Sequence, residues 1–270
     1  MLKKSIKIFA QLALVMSLTY GLSACSSKGK PDVSTQQYGQ THVIPDPLEG
    51  LNRAILKFNT GVDIILIEPV TGAYRYIVPE VARNSVQNFM RNLRSPLYVA
   101  NNLLQGDVGD AGVGAARFVV NTTFGIGGLF DVAEKHGLGF EQEDFGQTLA
   151  AWGMGDGFYI VWPILGPSSL RDSVGMAVDN LADPVRIIAF NEDEEWIYYT
   201  RNIVEGIDTR SRLLDTIRDT RKNSLDYYSS LKSIYEQRRS ALIRDSVYTN
   251  NYDIPTYNYD EYEAYDNYDN

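Results

Sequence analysis

The sequence predicts a mostly α-helical domain, and three features of the chain support this prediction. Apolar residues recur at spacings of three and four along several segments, as they do on one face of a helix. Prolines and glycines stand where those segments begin and end. No long stretch alternates β-branched with polar residues, and the best strand candidate, Ile64–Ile67, is short and follows a helical pattern.

The first predicted helix lies in the segment DPLEGLNRAILKFNTGV, residues 46–62. Asp46 suits its N-cap, Pro47 its first helical position and Glu49 the reciprocal cap three residues on. Its apolar residues share one helical face and are Leu48, Leu51, Ile55, Phe58 and Val62. Such a face is buried either in a protein core or among acyl chains, and the periodicity alone leaves both alternatives open.

Further helices follow along the chain. One is predicted to begin at Pro79, and a second to begin at Ser95-Pro96 and end at Gly106. Polar helices are predicted over residues 200–219 and 224–245, where apolar positions share one face and charges of both signs share the other.

The middle of the chain combines glycine with large aromatic residues, in residues 108–133 and 145–172. Small residues let helix backbones approach closely, as they often do in membranes. Tryptophan and tyrosine favour the membrane–water boundary because one end of each ring system is apolar and the other polar. A close-packed soluble helix pair with a buried aromatic core would produce the same pattern, so this region fits either environment.

The N-terminal residues predict a lipoprotein signal peptide over residues 1–24. Three lysines precede an apolar run over residues 8–22, which is too short to span a bilayer as a helix. The run ends in LSAC, which looks like a lipobox and predicts cleavage before Cys25 and acylation of that residue. An ordinary signal peptide with a chance cysteine is the alternative. Ser26 favours the outer membrane over the inner one.

Composition predicts the boundaries of the tether, the helical domain and the C-terminal tail. Residues 25–45 are rich in Ser, Gln, Thr and Pro and predict a flexible tether. Residues 46–247 form the predicted helical domain. Residues 248–270 are rich in Tyr and Asp and predict a disordered tail. The chain holds 34 acidic against 25 basic residues, which argues against nucleic acid as a partner.

Catalytic and cofactor motifs are missing from the sequence. There is no G-x-S-x-G, no H-E-x-x-H and no phosphate-binding loop with its lysine. The two histidines stand far apart, and the single cysteine is assigned to lipidation. An S-x-x-K match at Ser229 and Lys232 lies on a polar helix, where chance explains it better. We therefore predict no enzyme activity, no metal site and no cofactor.

Several segments together resemble the MlaA (VacJ) family of outer-membrane lipoproteins, in order over about residues 46–240. They are DPLEGLNRAILKFN, VPEVARNSVQNFMRNLRSP, NNLLQGD, ARFVVNTTFGIGGLFDVA, EDFGQTLAAWGMGDGFYIVWPILGPSSLRD and VEGIDTRSRLLD. The resemblance implies an all-α, ring-like helical domain embedded in or on the membrane. It implies a periplasm-facing outer-membrane lipoprotein that moves mislocalised phospholipids from the outer leaflet towards a soluble periplasmic carrier, through an amphipathic channel, and associates with trimeric porins.

The resemblance also turns the open alternatives into site predictions. It implies lipid contact for nine residues, Leu51, Ile55, Phe58, Phe124, Ile126, Leu129, Phe130, Trp162 and Ile164. It implies flexible hinges at Gly155, Gly157 and Gly166. The acidic loop 191–195 and the Tyr/Asp-rich tail depart from the family pattern. The alternative function is a non-transporting envelope scaffold that binds porins.

Overall fold

The computed structural model describes residues 43–248. The predicted signal peptide, Cys25, most of the predicted tether and residues 249–270 of the predicted tail lie outside the described residues.

The described chain is mostly helical, which confirms the predicted fold class, and it adds one two-stranded antiparallel hairpin. The helices are α1 Glu49–Val62, α2 Glu68–Ile77, α3 Glu80–Gln105, α4 Val108–Thr123, α5 Val132–Lys135, α6 Phe145–Ala151, α7 Leu170–Ala182, α8 Pro184–Asn191, α9 Glu195–Arg212, α10 Leu214–Asn223 and α11 Tyr227–Tyr248. The strands are β1 Tyr159–Trp162 and β2 Gly166–Ser169.

Helix α1 begins at Glu49, and the prediction that Asp46 caps it was wrong. No side chain caps this helix. The Asp46 carboxylate instead accepts hydrogen bonds from the Asn52 amide, at 2.9 Å, and from the Tyr228 hydroxyl of α11. The Asp46 carboxylate therefore binds these two side chains and not the backbone N–H groups at the start of the helix.

Helix α3 runs without a break from Glu80 through Pro96, so the predicted helix start at Ser95-Pro96 was wrong. A proline inside a helix removes one backbone hydrogen bond and costs about 3 kcal/mol. Helix α3 packs along α4 and also contacts α6, α8 and α9, and this packing outweighs the cost. The helix ends as predicted at Gly106, whose φ of +90° suits a residue without a Cβ.

The strand candidate Ile64–Ile67 is helical. Residues Asp63–Ile67 form a π-helical segment that joins α1 to α2. Arg210 of α9 holds its first residue, because its Nε and Nη2 atoms lie 2.8 and 2.7 Å from the two Asp63 carboxylate oxygens. Single π-helical turns inside longer helices are frequent at functional sites.

Two asparagines of α1 hold the hairpin. Asn52 accepts from the Val161 N–H at 2.9 Å and donates to the Tyr159 carbonyl at 3.1 Å. Asn59, seven residues on, accepts from the Ile164 N–H at 2.8 Å and donates to the Trp162 carbonyl at 2.9 Å. Each side-chain amide thus pairs with the backbone as a neighbouring strand would, and the hairpin is fixed against one face of α1.

The apolar core of the described residues is small. Its buried cluster consists of Ile44, Leu56, Tyr159, Val161 and Tyr228. Most of the other buried positions are polar or charged, and buried polar residues outnumber buried apolar ones in the described part of the chain. Hydrophobic burial alone therefore does not account for this fold.

Close backbone packing between α6 and α7 gives a testable prediction. A Cβ on Gly175 would lie 2.3 Å from the Gly146 nitrogen and 2.6 Å from its Cα. We expect G175A to push the two helices apart and to lower the free energy of unfolding by about 3 kcal/mol, measured by urea denaturation.

The matched control is Gly72 in α2, where an added Cβ meets nothing within 4 Å. We expect G72A to raise the free energy of unfolding by about 0.5–1 kcal/mol, because alanine loses less backbone entropy than glycine on folding. Equal effects of the two substitutions would contradict the close contact.

Candidate functional site

An apolar stripe runs along the outside of α1 and the π-helical segment. Its members Leu51, Phe58 and Ile65 stand seven residues apart and are exposed by 57%, 56% and 80%. Ile64 and Leu66 extend the same exposed surface. Monomeric soluble proteins rarely expose contiguous apolar patches of this kind, so the stripe marks a surface for lipid or for another protein. We call Leu51, Phe58 and Ile65 the α1 stripe.

The loop after α4 forms a second exposed apolar surface. Phe124, Ile126, Leu129 and Phe130 are all exposed there. Ile126 has a φ of +53°, which is rare and strained for a β-branched residue. The close approach of Gly128 to the Asn92 side chain fixes the loop, since a Cβ on Gly128 would lie 2.4 Å from that of Asn92. The loop is thus held in a shape that presents its large side chains outward.

The hairpin turn forms a third exposed apolar surface. Trp162 and Ile164 are exposed, and Ile164 has a φ of +66°. The Trp162 indole N–H donates to the Ser173 hydroxyl at 2.8 Å, so the ring keeps a polar anchor while its apolar part faces outward. Because Asn59 binds the backbone of both residues and follows Phe58 in the chain, the structure places the hairpin turn beside the α1 stripe.

Eight of the nine residues predicted to contact lipid are thus exposed apolar side chains, as such a contact requires. The exception is Ile55, which is half-buried and packs against the apolar core. Of the predicted hinges, Gly157 and Gly166 have φ values of +72° and +87°, and no positive φ occurs at Gly155. Lipid contact and hinge motion themselves stay predictions.

A polar cavity of about 310 Å³ lies among the helices. Its lining comes from α3, α7, α9, α11, β2 and the residues before α6. The charged residues that line it are Arg94, Asp144, Asp172, Asp179, Asp183 and Arg239. We call this the polar cavity. No motif in the sequence marks it, because its residues are widely separated along the chain.

Arg239 of α11 contacts two carboxylates that line the polar cavity, those of Asp144 and Asp172. Its Nη1 and Nη2 atoms lie 2.6 and 2.7 Å from the two Asp144 oxygens, and its Nε lies 2.7 Å from an Asp172 oxygen. Burial works to raise the pKa of Asp144, but the hydrogen bonds and charge of Arg239 outweigh it and hold that pKa below its usual value. The Asp144 carboxylate therefore stays ionised at neutral pH inside the protein.

Asp179 has a different environment in the same cavity. Its carboxylate accepts hydrogen bonds from the Phe145 N–H at 2.9 Å and from the Asn101 amide at 3.2 Å. No arginine or lysine of the described residues forms an ion pair with it. Burial therefore raises the pKa of Asp179 to about 6, against the lowering effect of those two hydrogen bonds.

Among residues 43–248, every helix is too short or too polar to span a bilayer. The exposed apolar surfaces described above lie on one amphipathic helix with its π-helical extension, on a loop and on a hairpin turn. Such elements can lie in the surface of a bilayer with their apolar side among acyl chains.

Residues 44–242 of this chain match the model of the MlaA lipoprotein family. An Escherichia coli K12 protein named intermembrane phospholipid transport system lipoprotein MlaA is 36% identical over 235 residues, which cover 84% of this chain and 85% of that protein. An uncharacterised Rickettsia prowazekii protein is 35% identical over 211 residues, covering 78% of this chain and 81% of that one.

A solved structure shares the fold. It was described under the heading "Structural basis for maintenance of bacterial outer membrane lipid asymmetry" and matches with a TM-score of 0.65 and 38% sequence identity. The match covers 73% of this chain and 98% of that one. The similarity therefore extends over nearly the whole of the solved protein.

The raised pKa of Asp179 gives a prediction about stability. The folded pKa of about 6 lies above the value near 3.9 of an unfolded aspartate, so the folded state holds this proton more tightly. Asp179 should therefore lower the free energy of unfolding as the pH rises from about 4 to about 6, and add no further change above that range. D179N removes this effect, so we expect its stability relative to the wild type to increase over the same interval.

Urea midpoints at pH 4.5 and pH 7.5 test this expectation. D219N, which removes an exposed carboxylate on α10, is the control and should follow the wild-type profile. Parallel profiles for the wild type and D179N would show that Asp179 has an ordinary pKa in the folded protein.

Proposed function

Because this chain belongs to the MlaA lipoprotein family, we propose that it is an outer-membrane lipoprotein that moves mislocalised phospholipids from the outer leaflet towards a periplasmic carrier. In this role it maintains the lipid asymmetry of the outer membrane and changes no covalent bond. The relatives named as intermembrane phospholipid transport lipoproteins, at 36% and 37% identity, support this assignment.

The observation that carries the proposal is the inverted distribution of side chains. Large apolar residues are exposed on α1, the α4 loop and the hairpin turn, whereas the interior contains a polar cavity. A phospholipid has the same two kinds of surface, with apolar chains and a polar headgroup. The protein thus offers each part of the molecule a surface of matching polarity.

The mechanism that follows is physical. Each CH₂ group that stays out of water is worth about 0.8 kcal/mol, so acyl chains need a continuous apolar surface during transfer. The headgroup needs hydrogen bonds, because burying a polar group without them costs about 1–3 kcal/mol in proteins. We propose that the chains move along the exposed apolar surfaces while the headgroup passes the polar cavity.

The proposal includes the partners that the family resemblance implies. Acylation of Cys25 would anchor the chain to the periplasmic side of the outer membrane, since several acyl chains give stable attachment. A soluble periplasmic carrier would accept the lipid, and trimeric porins would hold the protein in place. The α1 stripe and the α4 loop supply apolar surface for contact with the bilayer.

The function is tested in a deletion strain. Surface-exposed phosphatidylethanolamine is labelled with an amine-reactive reagent that does not cross membranes, and the labelled lipid is measured by mass spectrometry. We expect the deletion to raise the outer-leaflet signal and the full chain to restore it. An unchanged signal in the deletion strain would exclude this function.

Variants distinguish transport from the scaffold alternative. W162S and F58S place polar groups beside the proposed acyl path, and we expect both to raise outer-leaflet phospholipid while porins still co-purify. Intact lipid asymmetry together with altered porin co-purification would instead support a scaffold that binds porins and transports nothing.

The α1 stripe gives a prediction about membrane binding. In a chain that begins at Ser26, and so lacks both the signal peptide and the acylated cysteine, we expect L51S/F58S/I65S to lower co-flotation with phospholipid vesicles by about tenfold or more, because three exposed apolar side chains leave the acyl region.

The control for this experiment is L225S, because Leu225 is fully exposed outside the three apolar surfaces. We expect it to float like its parent. Equal flotation of the triple variant and its parent would show that the α1 stripe does not face lipid.

A further inference from the structure

The polar cavity carries an excess of negative charge. Its charged lining consists of four carboxylates and two guanidinium groups. Three of the carboxylates are compensated: Asp144 and Asp172 by Arg239, and Asp183 by Arg201, which lies 2.8 Å away. Asp179 is the lining carboxylate without an ion-pair partner among the described residues. A bare anion entering this cavity therefore meets net repulsion, and a cation meets net attraction.

Asp179 has capacity left for a donor. A carboxylate has about four acceptor sites, and the Asp179 side chain uses two of them, for the Phe145 N–H and the Asn101 amide. A primary ammonium group has three N–H donors and a full positive charge, so it satisfies the unused acceptor sites and supplies the missing countercharge. Binding such a group would remove the electrostatic cost of ionising Asp179 in the protein interior.

Arg94 provides the opposite charge in the same cavity. Its side chain is 32% exposed, and one of its terminal nitrogens lies 3.1 Å from Glu205. Among the described residues this is the one ion pair that Arg94 forms, so its other terminal nitrogen, Nη1, lies outside any ion pair. The guanidinium therefore has donor capacity left for an oxygen of a phosphate group. The cavity thus offers an acceptor for a cationic amine and a donor for a phosphate oxygen.

We propose that the polar cavity binds the zwitterionic phosphoethanolamine group of a phospholipid, with the ammonium on Asp179 and a phosphate oxygen on Arg94. The protein then prefers phosphatidylethanolamine to phosphatidylglycerol, which has the phosphate but no amine. The volume is adequate, because about 310 Å³ lies at the lower end of pockets for drug-sized molecules and a headgroup is smaller than those. This inference rests on the proposed function.

The test uses the full lipidated chain in detergent micelles. The micelles contain equal amounts of phosphatidylethanolamine and phosphatidylglycerol with the same acyl chains, and the lipids that remain bound after purification are measured by mass spectrometry. We expect the wild type to enrich phosphatidylethanolamine by about threefold or more over the micelle. Bound lipid in the micelle ratio would overturn the inference.

Three variants locate the preference. D179N should abolish the enrichment because it removes the unpaired charge. M176K should shift the bound lipid towards phosphatidylglycerol, because Met176 lines the cavity and is exposed, so the new cation adds charge without removing a partner. D219N, on exposed α10, should keep the wild-type ratio. Enrichment that survives in both D179N and M176K would overturn the assignment of this site.

A fourth arm separates the lipid from its free headgroup. Excess glycerophosphoethanolamine, which has the same polar group and no acyl chains, should displace less than half of the bound phospholipid, and full displacement would overturn the assignment to a lipid. If the proposed function is wrong, the purified protein will hold no phospholipid of either class. If only this inference is wrong, the protein will hold phospholipid without a headgroup preference.

Discussion

Buried ion pairs hold the helices of this domain together, because few of its large apolar side chains are available to do so. Arg239 joins α11 to Asp144 and to α7, and Arg201 joins α9 to Asp183 at the start of α8. Arg210 of α9 fixes the π-helical segment through Asp63. Arg239 and Asp144 are 95 residues apart in the chain and Arg210 and Asp63 are 147 apart, whereas Arg201 joins two consecutive helices. Removing one partner of such a pair leaves a charge buried and uncompensated, at a cost of about 3–5 kcal/mol.

Because ion pairs and hydrogen bonds hold the interior together, large apolar side chains can lie on the surface of the protein. A soluble domain of this length would place Leu51, Phe58 and Ile65 in its core, but here the space beneath α1 is occupied by Asn52 and Asn59 and by the hairpin that they hold. The same helix therefore carries the α1 stripe and, on the adjoining face, the two asparagines that hold the hairpin. In a bilayer such a stripe costs nothing to expose, since acyl chains are as apolar as leucine.

Helix positions could be predicted from the sequence, and most of the site could not. Periodicity predicted the apolar face of α1, and Gly106 predicted the end of α3. The family resemblance then selected nine side chains, of which all but Ile55 are exposed. Local rules failed at Asp46 and Pro96, where contacts with distant elements outweigh capping and proline preferences. The polar cavity left no local signal, because Arg94, Asp179 and Arg239 come from three different helices and look like ordinary surface charges in the sequence.

The central claim is that acyl chains cover the exposed apolar surfaces of this protein. Spin labels at single cysteines replacing Phe58, Ile65, Ile126 or Ile164, in the C25S background in bilayers, test it most directly. Oxygen, which concentrates in hydrocarbon, should relax these labels strongly, whereas a water-soluble nickel chelate should not, and a label at Leu225 should show the reverse. Chelate access at all four positions equal to that at Leu225 would contradict the account.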